Sequence, residues 1–209
     1  MDVARFKQLP LMGILRGIKA DVLEPLLETV IKCGLETIEI TMNTPQAPSL
    51  IHQAVQFSGG RLVVGAGTVL NRDSLKSALE AGASFIVTPV FNEEVFVCCR
   101  KNNIPFFPGA LTPTEIYRAW EYGPAMVKVF PSKFFGSAYF KEIKGPFENI
   151  ELLACGGVSP QEMGVYFSNG ASAVAFGASV FNKEWLQNRQ FDLIGEKIRS
   201  YVEAFTLLA

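Results

Sequence analysis

Apolar residues along the chain fall into short runs, and helical periodicity fills the stretches between them. Runs at Leu11–Gly17, Thr37–Met42, Leu62–Val69, Phe85–Pro89, Pro105–Gly109, Met126–Pro131, Glu151–Gly156 and Ala173–Gly177 are rich in branched or aromatic side chains and predict eight strands. Helical patterns lie between them, among others at Val22–Lys32, Arg72–Ala81, Glu93–Asn102 and Thr114–Tyr122. One unit recurs: "CGLETIEIT", "AGASFIVTP", "YGPAMVKVF" and "NGASAVAFG" each place a glycine (Gly34, Gly82, Gly123, Gly170) after a helical segment and before an apolar run. A glycine there can end a helix in the left-handed conformation. The unit is therefore helix, glycine stop, strand. Strongly apolar strands alternating with helices predict a parallel sheet covered on both faces. Eight such units in about 200 residues suit an α/β (β/α)8 TIM barrel, a single domain over residues 1–209. An open doubly wound sheet fits less well, because no glycine-rich dinucleotide fingerprint follows the first strand.

Composition narrows the function classes. Hydrophobic residues make up 49% of the chain and charged residues 19%, which suits a core-rich globular protein. With 19 basic and 20 acidic residues the net charge is −1, and the basic residues are scattered. Nothing here favours nucleic acid or an anionic membrane surface as a partner, so any anion site must be local. No apolar run approaches the roughly 20 residues of a membrane helix, and "MDVARFKQLP" has no signal-peptide pattern. A cytoplasmic protein is expected. The four cysteines, Cys33, Cys98, Cys99 and Cys155, sit in apolar patterns and read as buried free thiols. His52 is the only histidine, which argues against a histidine metal site or a serine–histidine triad.

The chemistry-bearing residues gather at predicted strand ends, where a (β/α)8 barrel builds its active site. The first strand ends in Arg16, the second carries Glu39 with Asn43 beyond it, and the third ends in "GAGTV" with Thr68. The fourth ends in "VTPV" with Pro89, and the sixth carries Lys128 inside the apolar run "MVKVF". The seventh and eighth end in the glycine-bearing segments "ACGGVS" and "AFGAS". Singly, each has a plain structural reading: a solvated Arg16, a snorkelling Lys128, an ordinary strand threonine, simple glycine turns. Together, a lysine, a glutamate and an arginine converge at one end of a narrow barrel. Desolvation and a neighbouring guanidinium are expected to lower the lysine's pKa and supply the neutral amine that an imine with a carbonyl requires. A carboxylate beside it can move protons. Backbone N–H groups in the glycine segments at helix starts suit a phosphate. The composite points to a phosphorylated keto compound and an imine-forming lysine.

The segments "GAGTVL", "VTP", "VKVFPS" and "GGVSP", with the Glu39 strand, resemble the 2-keto-3-deoxy-6-phosphogluconate aldolases, which include the bifunctional 4-hydroxy-2-oxoglutarate enzymes. The resemblance runs from about Leu11 to Phe181. It implies a class I aldolase of Entner–Doudoroff-type carbohydrate metabolism on a homotrimeric barrel, with no metal or organic cofactor, acting on a phosphorylated keto acid and releasing pyruvate. By motif position it makes Lys128 the Schiff-base lysine and Glu39 the general acid/base. Thr68, Pro89 and Phe130 match the pyruvate pocket, and Gly156, Gly157, Gly177 and Ser179 match the phosphate loops. Two positions depart from the gluconate type. Asn43 stands where arginine is common four residues after the glutamate, and "ILRGI" with "MNTPQ" resembles the galactonate branch, in which the first-strand arginine holds the carboxylate. That assigns the carboxylate to Arg16. Cys155, before the double glycine, matches neither the threonine of one branch nor the valine of the other, and it adjoins the substrate site. A 2-keto-3-deoxy-6-phosphogalactonate aldolase is therefore the alternative. A barrel phosphosugar isomerase or epimerase, or a binding protein without turnover, would share the phosphate loops but would not need the lysine.

Overall fold

A computed structural model describes residues 1–208. It contains nine strand segments: β1 (Leu11–Leu15), β2 (Thr37–Thr41), β3 (Val63–Gly67), β4 (Ile86–Val87), β5 (Phe106–Phe107), β6 (Gly109–Ala110), β7 (Val127–Val129), β8 (Leu152–Cys155) and β9 (Ala173–Phe176). The helices are α1 (Val3–Phe6), α2 (Ala20–Lys32), α3 (Ala47–Ser58), α4 (Arg72–Glu80), α5 (Glu93–Lys101), α6 (Pro113–Trp120), α7 (Ala138–Lys144), α8 (Pro160–Ser168), α9 (Lys183–Gln187) and α10 (Phe191–Thr206). All strand pairs are parallel, in the order β5-β4-β3-β2-β1-β9-β8-β7-β6.

The sheet is the predicted (β/α)8 barrel, with its fifth strand in two pieces. β5 and β6 flank Pro108, which has no N–H to give to a ladder. The first half pairs with β4 and the second with β7. The Pro108 carbonyl still accepts from Lys128 N at 2.8 Å, and the Phe107 carbonyl from Thr88 N at 3.1 Å. The two ends of the ladder thus fall on one strand. The predicted glycine stops hold: Gly34, Gly82, Gly123 and Gly170 have φ of 81°, 95°, 70° and 96°.

Strand alternation sorts the side chains into two cores. Leu11, Leu15, Ile38, Ile40, Val127 and Val129 belong to the layer between sheet and helices. The opposite parity forms a smaller cluster inside the barrel, with Met12, Phe85, Phe107, Met126, Leu153 and Cys155. Phe6 of α1, an element the sequence reading did not anticipate, joins this inner cluster, its ring 5.7 Å from that of Phe107. Lys128 lies between Val127 and Val129, so alternation turns it inward while they face the helices. Glu39 on β2 is turned inward for the same reason.

Two β3 glycines make room inside. A Cβ on Gly65 would run into the Phe85 ring, and one on Gly67 into the Glu39 carboxylate. Phe85 is fully buried and packs edge-on against Phe107, so it has nowhere to retreat. Overpacking of this kind costs about 1–3 kcal/mol. Gly65→Ala should lower the urea midpoint by that equivalent with an unchanged m-value. A midpoint equal to wild type would show that the inner core is looser than described.

Candidate active site

Lys128 Nζ lies 3.9 Å from Glu39 Oε1, and both side chains are almost completely buried, at 7% and 1% exposure. Glu39 Oε2 is buried with no hydrogen-bond partner. A buried carboxylate oxygen without a donor is costly and is the kind of group that a substrate hydroxyl or a water would satisfy. Cys155, buried, lines the neighbouring cavity and is electrostatically coupled to Lys128. The Phe130 ring, half-exposed, lies with its centroid 5.4 Å from Nζ.

The three ionisable groups are coupled. Burial pushes the Glu39 carboxyl above the usual carboxylate range, and the positive charges of Lys128 and Arg16 only partly offset this. Burial likewise pushes the Cys155 thiol up, against the pull of Lys128. On Lys128, burial favours the neutral amine, but negative charge on Cys155 and Glu39 outweighs it and holds the ammonium above the ordinary lysine value. This corrects the expectation from sequence. Desolvation and Arg16 do act to lower the lysine, but its anionic neighbours reverse the net effect.

Above the pair, a cavity of about 630 Å³ opens at the C-terminal end of the strands. Arg16, Phe130, Cys155, Gly156 and Gly157 line it, as do Gly177 and Ser179. Seven of the sequence-predicted residues therefore share one cavity; Lys128 and Glu39 do not line it themselves, but Lys128 approaches it at Phe130, whose ring centroid lies 5.4 Å from Nζ. Thr68 and Pro89 stand at the same end of the barrel, past β3 and β4, but do not line this cavity. Thr68 has φ of 54°. A β-branched residue in the left-handed region costs on the order of 1–3 kcal/mol, a strain that concentrates at functional sites. Pro89 is fixed by close approach to Gly109, where a Cβ would collide with the Pro89 carbonyl.

Several positioning groups escaped the sequence reading. The Thr44 hydroxyl, buried, accepts from Gly17 N at 2.9 Å and lies 3.1 Å from the Thr41 hydroxyl, which donates to the Leu15 carbonyl at 3.4 Å. These bonds tie the loop after β2 to the backbone on either side of Arg16. Ser132 donates to the Cys155 carbonyl at 2.9 Å and to that of Gly156 at 3.1 Å. Tyr201 on α10 donates to the Val158 carbonyl at 2.7 Å and stacks on Phe176 with centroids 4.1 Å apart. Gly156 and Gly157 both have left-handed φ, 95° and 85°, and are thereby held at the rim. Lys133 and Lys183 also line the cavity, where sequence had foreseen only backbone donors. No hydroxyl in the sequence announces which carbonyl it will meet, so Thr44, Ser132 and Tyr201 had no local signal.

The four cysteines are free; Cys33, Cys99 and Cys155 are buried as expected, and Cys98 is only half-buried. Burial, with Cys98 adjoining, pushes the Cys99 thiol up to about 12. Among the described residues, no group of three or more His, Cys, Asp or Glu side chains is placed to hold a metal ion. No described helix is long and apolar enough to cross a membrane.

Comparison with known proteins adds to this geometry. The family model "KDPG and KHG aldolase" matches residues 3–197. The chain is 31% identical over 198 residues to the 2-dehydro-3-deoxy-6-phosphogalactonate aldolase of Escherichia coli strain K12, covering 94% of this chain and 97% of that protein. It is 29% identical to the 2-dehydro-3-deoxy-phosphogluconate aldolase of Haemophilus influenzae, covering 96% and 95%. Among solved structures, the native KDPGal structure superposes with a TM-score of 0.89 at 30% identity, covering 96% of each chain.

The buried pair makes a stability prediction. Lys128→Met leaves Glu39 buried without its cation, which raises the carboxyl's folded pKa further. A carboxyl raised in the folded state contributes stability at low pH and loses it as pH climbs through the folded value. Relative to wild type, Lys128→Met should therefore lose stability with pH above the usual carboxylate range, by up to about 1.4 kcal/mol per pH unit, and not in acid. Urea unfolding at a series of pH values reads this. A stability difference independent of pH would mean that the two groups do not sense each other.

Proposed function

This chain belongs to the KDPG and KHG aldolase family, and on that premise we propose that it cleaves 2-keto-3-deoxy-6-phosphogluconate to pyruvate and D-glyceraldehyde 3-phosphate through an imine on Lys128. It is an aldolase, a carbon–carbon lyase. The observation that carries the residue assignment is the inward-facing Lys128–Glu39 pair, buried 3.9 Å apart, with Phe130 between the lysine and a cavity lined by cations and glycine loops.

In the proposed sequence, Lys128 passes a proton to Glu39, whose buried carboxyl favours the protonated form. The freed amine adds to the C2 ketone. Glu39 returns the proton to the departing C2 hydroxyl, which leaves as water and gives the iminium. Glu39, now a carboxylate, takes the C4 hydroxyl proton. The C3–C4 bond breaks, its electrons move into the iminium, and the aldehyde leaves with the enamine behind. Glu39 delivers the proton to C3, and water hydrolyses the imine to pyruvate. Arg16 and Thr68 bind the substrate carboxylate, and Pro89 and Phe130 wall the pyruvate end. Gly156, Gly157, Gly177 and Ser179 offer backbone and hydroxyl donors to the phosphate, and Cys155 adjoins C4.

One observation favours a second substrate. Arg16 lines the cavity, whereas Asn43, four residues after Glu39, is exposed and does not. With the 31% identical relative named a phosphogalactonate aldolase, this supports the C4 epimer, 2-keto-3-deoxy-6-phosphogalactonate, as the competing substrate. Cleavage of 4-hydroxy-2-oxoglutarate to pyruvate and glyoxylate needs the same lysine and glutamate. We further place the enzyme in the cytoplasm as a homotrimer. The exposed apolar residues Leu70, Val90, Phe134 and Phe135, past the ends of β3, β4 and β7, provide surface for self-association.

Borohydride with pyruvate present should add one reduced adduct, on Lys128. An adduct on Lys133 or Lys141, or none, would sink the assignment. Glu39→Gln should cut turnover by roughly 10²–10⁴ and slow trapping of the lysine as well, since the amide cannot take its proton; an unimpaired variant would remove Glu39 from the mechanism. Pyruvate release from both epimers and from 4-hydroxy-2-oxoglutarate ranks the substrates. A monomer mass by sedimentation would overturn the trimer, and recovery outside the cytoplasmic fraction would overturn the location.

A further inference from the structure

The cavity carries a charge pattern that imine chemistry does not use. Arg16, Lys133 and Lys183 line it, and among the described residues no carboxylate does. Neither lysine takes part in a salt bridge within the described chain. Lys133 is held in place. Gly157 has φ of 85°, and a Cβ there would lie 2.5 Å from Lys133 Cβ, so the lysine stem rests on bare glycine backbone. Its Nζ lies over the Phe134 ring, 4.9 Å from the centroid. Such contacts hold a cation without neutralising it. Lys183 opens α9, whose start is fixed by Asn182 accepting from Glu184 N at 2.8 Å and Trp185 N at 3.2 Å, with Leu186 buried behind it.

The charges can be matched to a substrate. A phosphate monoester carries roughly −1.5 to −2 at neutral pH, and a carboxylate one further negative charge. Arg16 answers the carboxylate, and two lysines beside the glycine loops answer the phosphate. An unphosphorylated dicarboxylate leaves one of the three cations unmatched. We infer that Lys133 and Lys183 are specificity-determining residues that hold the phosphate end and bias this enzyme toward phosphorylated keto acids over 4-hydroxy-2-oxoglutarate. The inference rests on the proposed aldolase reading and adds the side chains that select its substrate class. Both lysines meet solvent, so their attraction is expected to weaken with added salt.

The test uses glycerol 3-phosphate as a binding probe on wild type, Lys133→Met, Lys183→Met and the double variant, with Lys141→Met on α7 as a surface control. Thermal melting reports folding. The double variant should bind the probe roughly tenfold or more weakly, with the salt dependence reduced. KM for the phosphorylated acids should rise by a similar factor while kcat stays within about twofold, and KM for 4-hydroxy-2-oxoglutarate should rise several-fold less. Equal probe affinity in wild type and double variant, or no probe binding by wild type, overturns the inference. Probe binding lost in the double variant, together with a wild type that cleaves no phosphorylated acid, supports this site and instead sinks the substrate named above.

Discussion

A lysine and a glutamate buried 3.9 Å apart inside a closed barrel constrain everything around them. Neither charge could be kept there alone, since an unpaired ion in an apolar interior is driven to neutrality. Each is tolerated because the other is present, and the burial that endangers them makes their protons easy to exchange. Holding the pair takes more than the two residues. Strand alternation turns both inward, Gly67 leaves the space that the carboxylate fills, and the Lys128 backbone is pinned to Pro108 across the broken fifth strand. Cys155 closes the third side and couples the lysine to the cavity.

From that pair the site grades outward in polarity. The inner groups are buried, and burial raises the Glu39 carboxyl and the Cys155 thiol; rim groups are cations and backbone donors open to solvent. The rim is organised by hydroxyls acting on main-chain groups. Thr44 ties down Gly17 beside Arg16, Ser132 binds two carbonyls at the end of β8, and Tyr201 reaches from the last helix to Val158. The buried pair rests on the inner core, and the rim rests on these loop anchors, with Ser132 bonded to the Cys155 carbonyl where the two meet.

Much of this was legible in the sequence because it follows from period and punctuation. Alternation in "VKV" and "IEI" gives the inward direction of Lys128 and Glu39, and the recurrent glycine marks where helices stop. The fifth strand was drawn unbroken because an apolar run reads the same with or without a ladder donor, although Pro108 carries the cue. The lysine's protonation was misjudged because the sequence shows burial but not distance. Desolvation, Arg16 and the carboxylate alongside were legible, but the net balance and the approach of Cys155 exist only in three dimensions. Lys133 sits one residue past a motif that drew attention to Lys128, and its stem finds Gly157 through tertiary packing alone.

The central claim is that Lys128 and Glu39 act together on a pyruvate carbon, and deuterium exchange into the pyruvate methyl group in D2O tests it without any aldehyde partner. Exchange requires an imine to acidify the methyl hydrogens and a base to remove one. The account predicts that wild type exchanges them, that Lys128→Met abolishes exchange, and that Glu39→Gln nearly does. Exchange that persists in Lys128→Met, or a wild type that exchanges no faster than buffer, would contradict it.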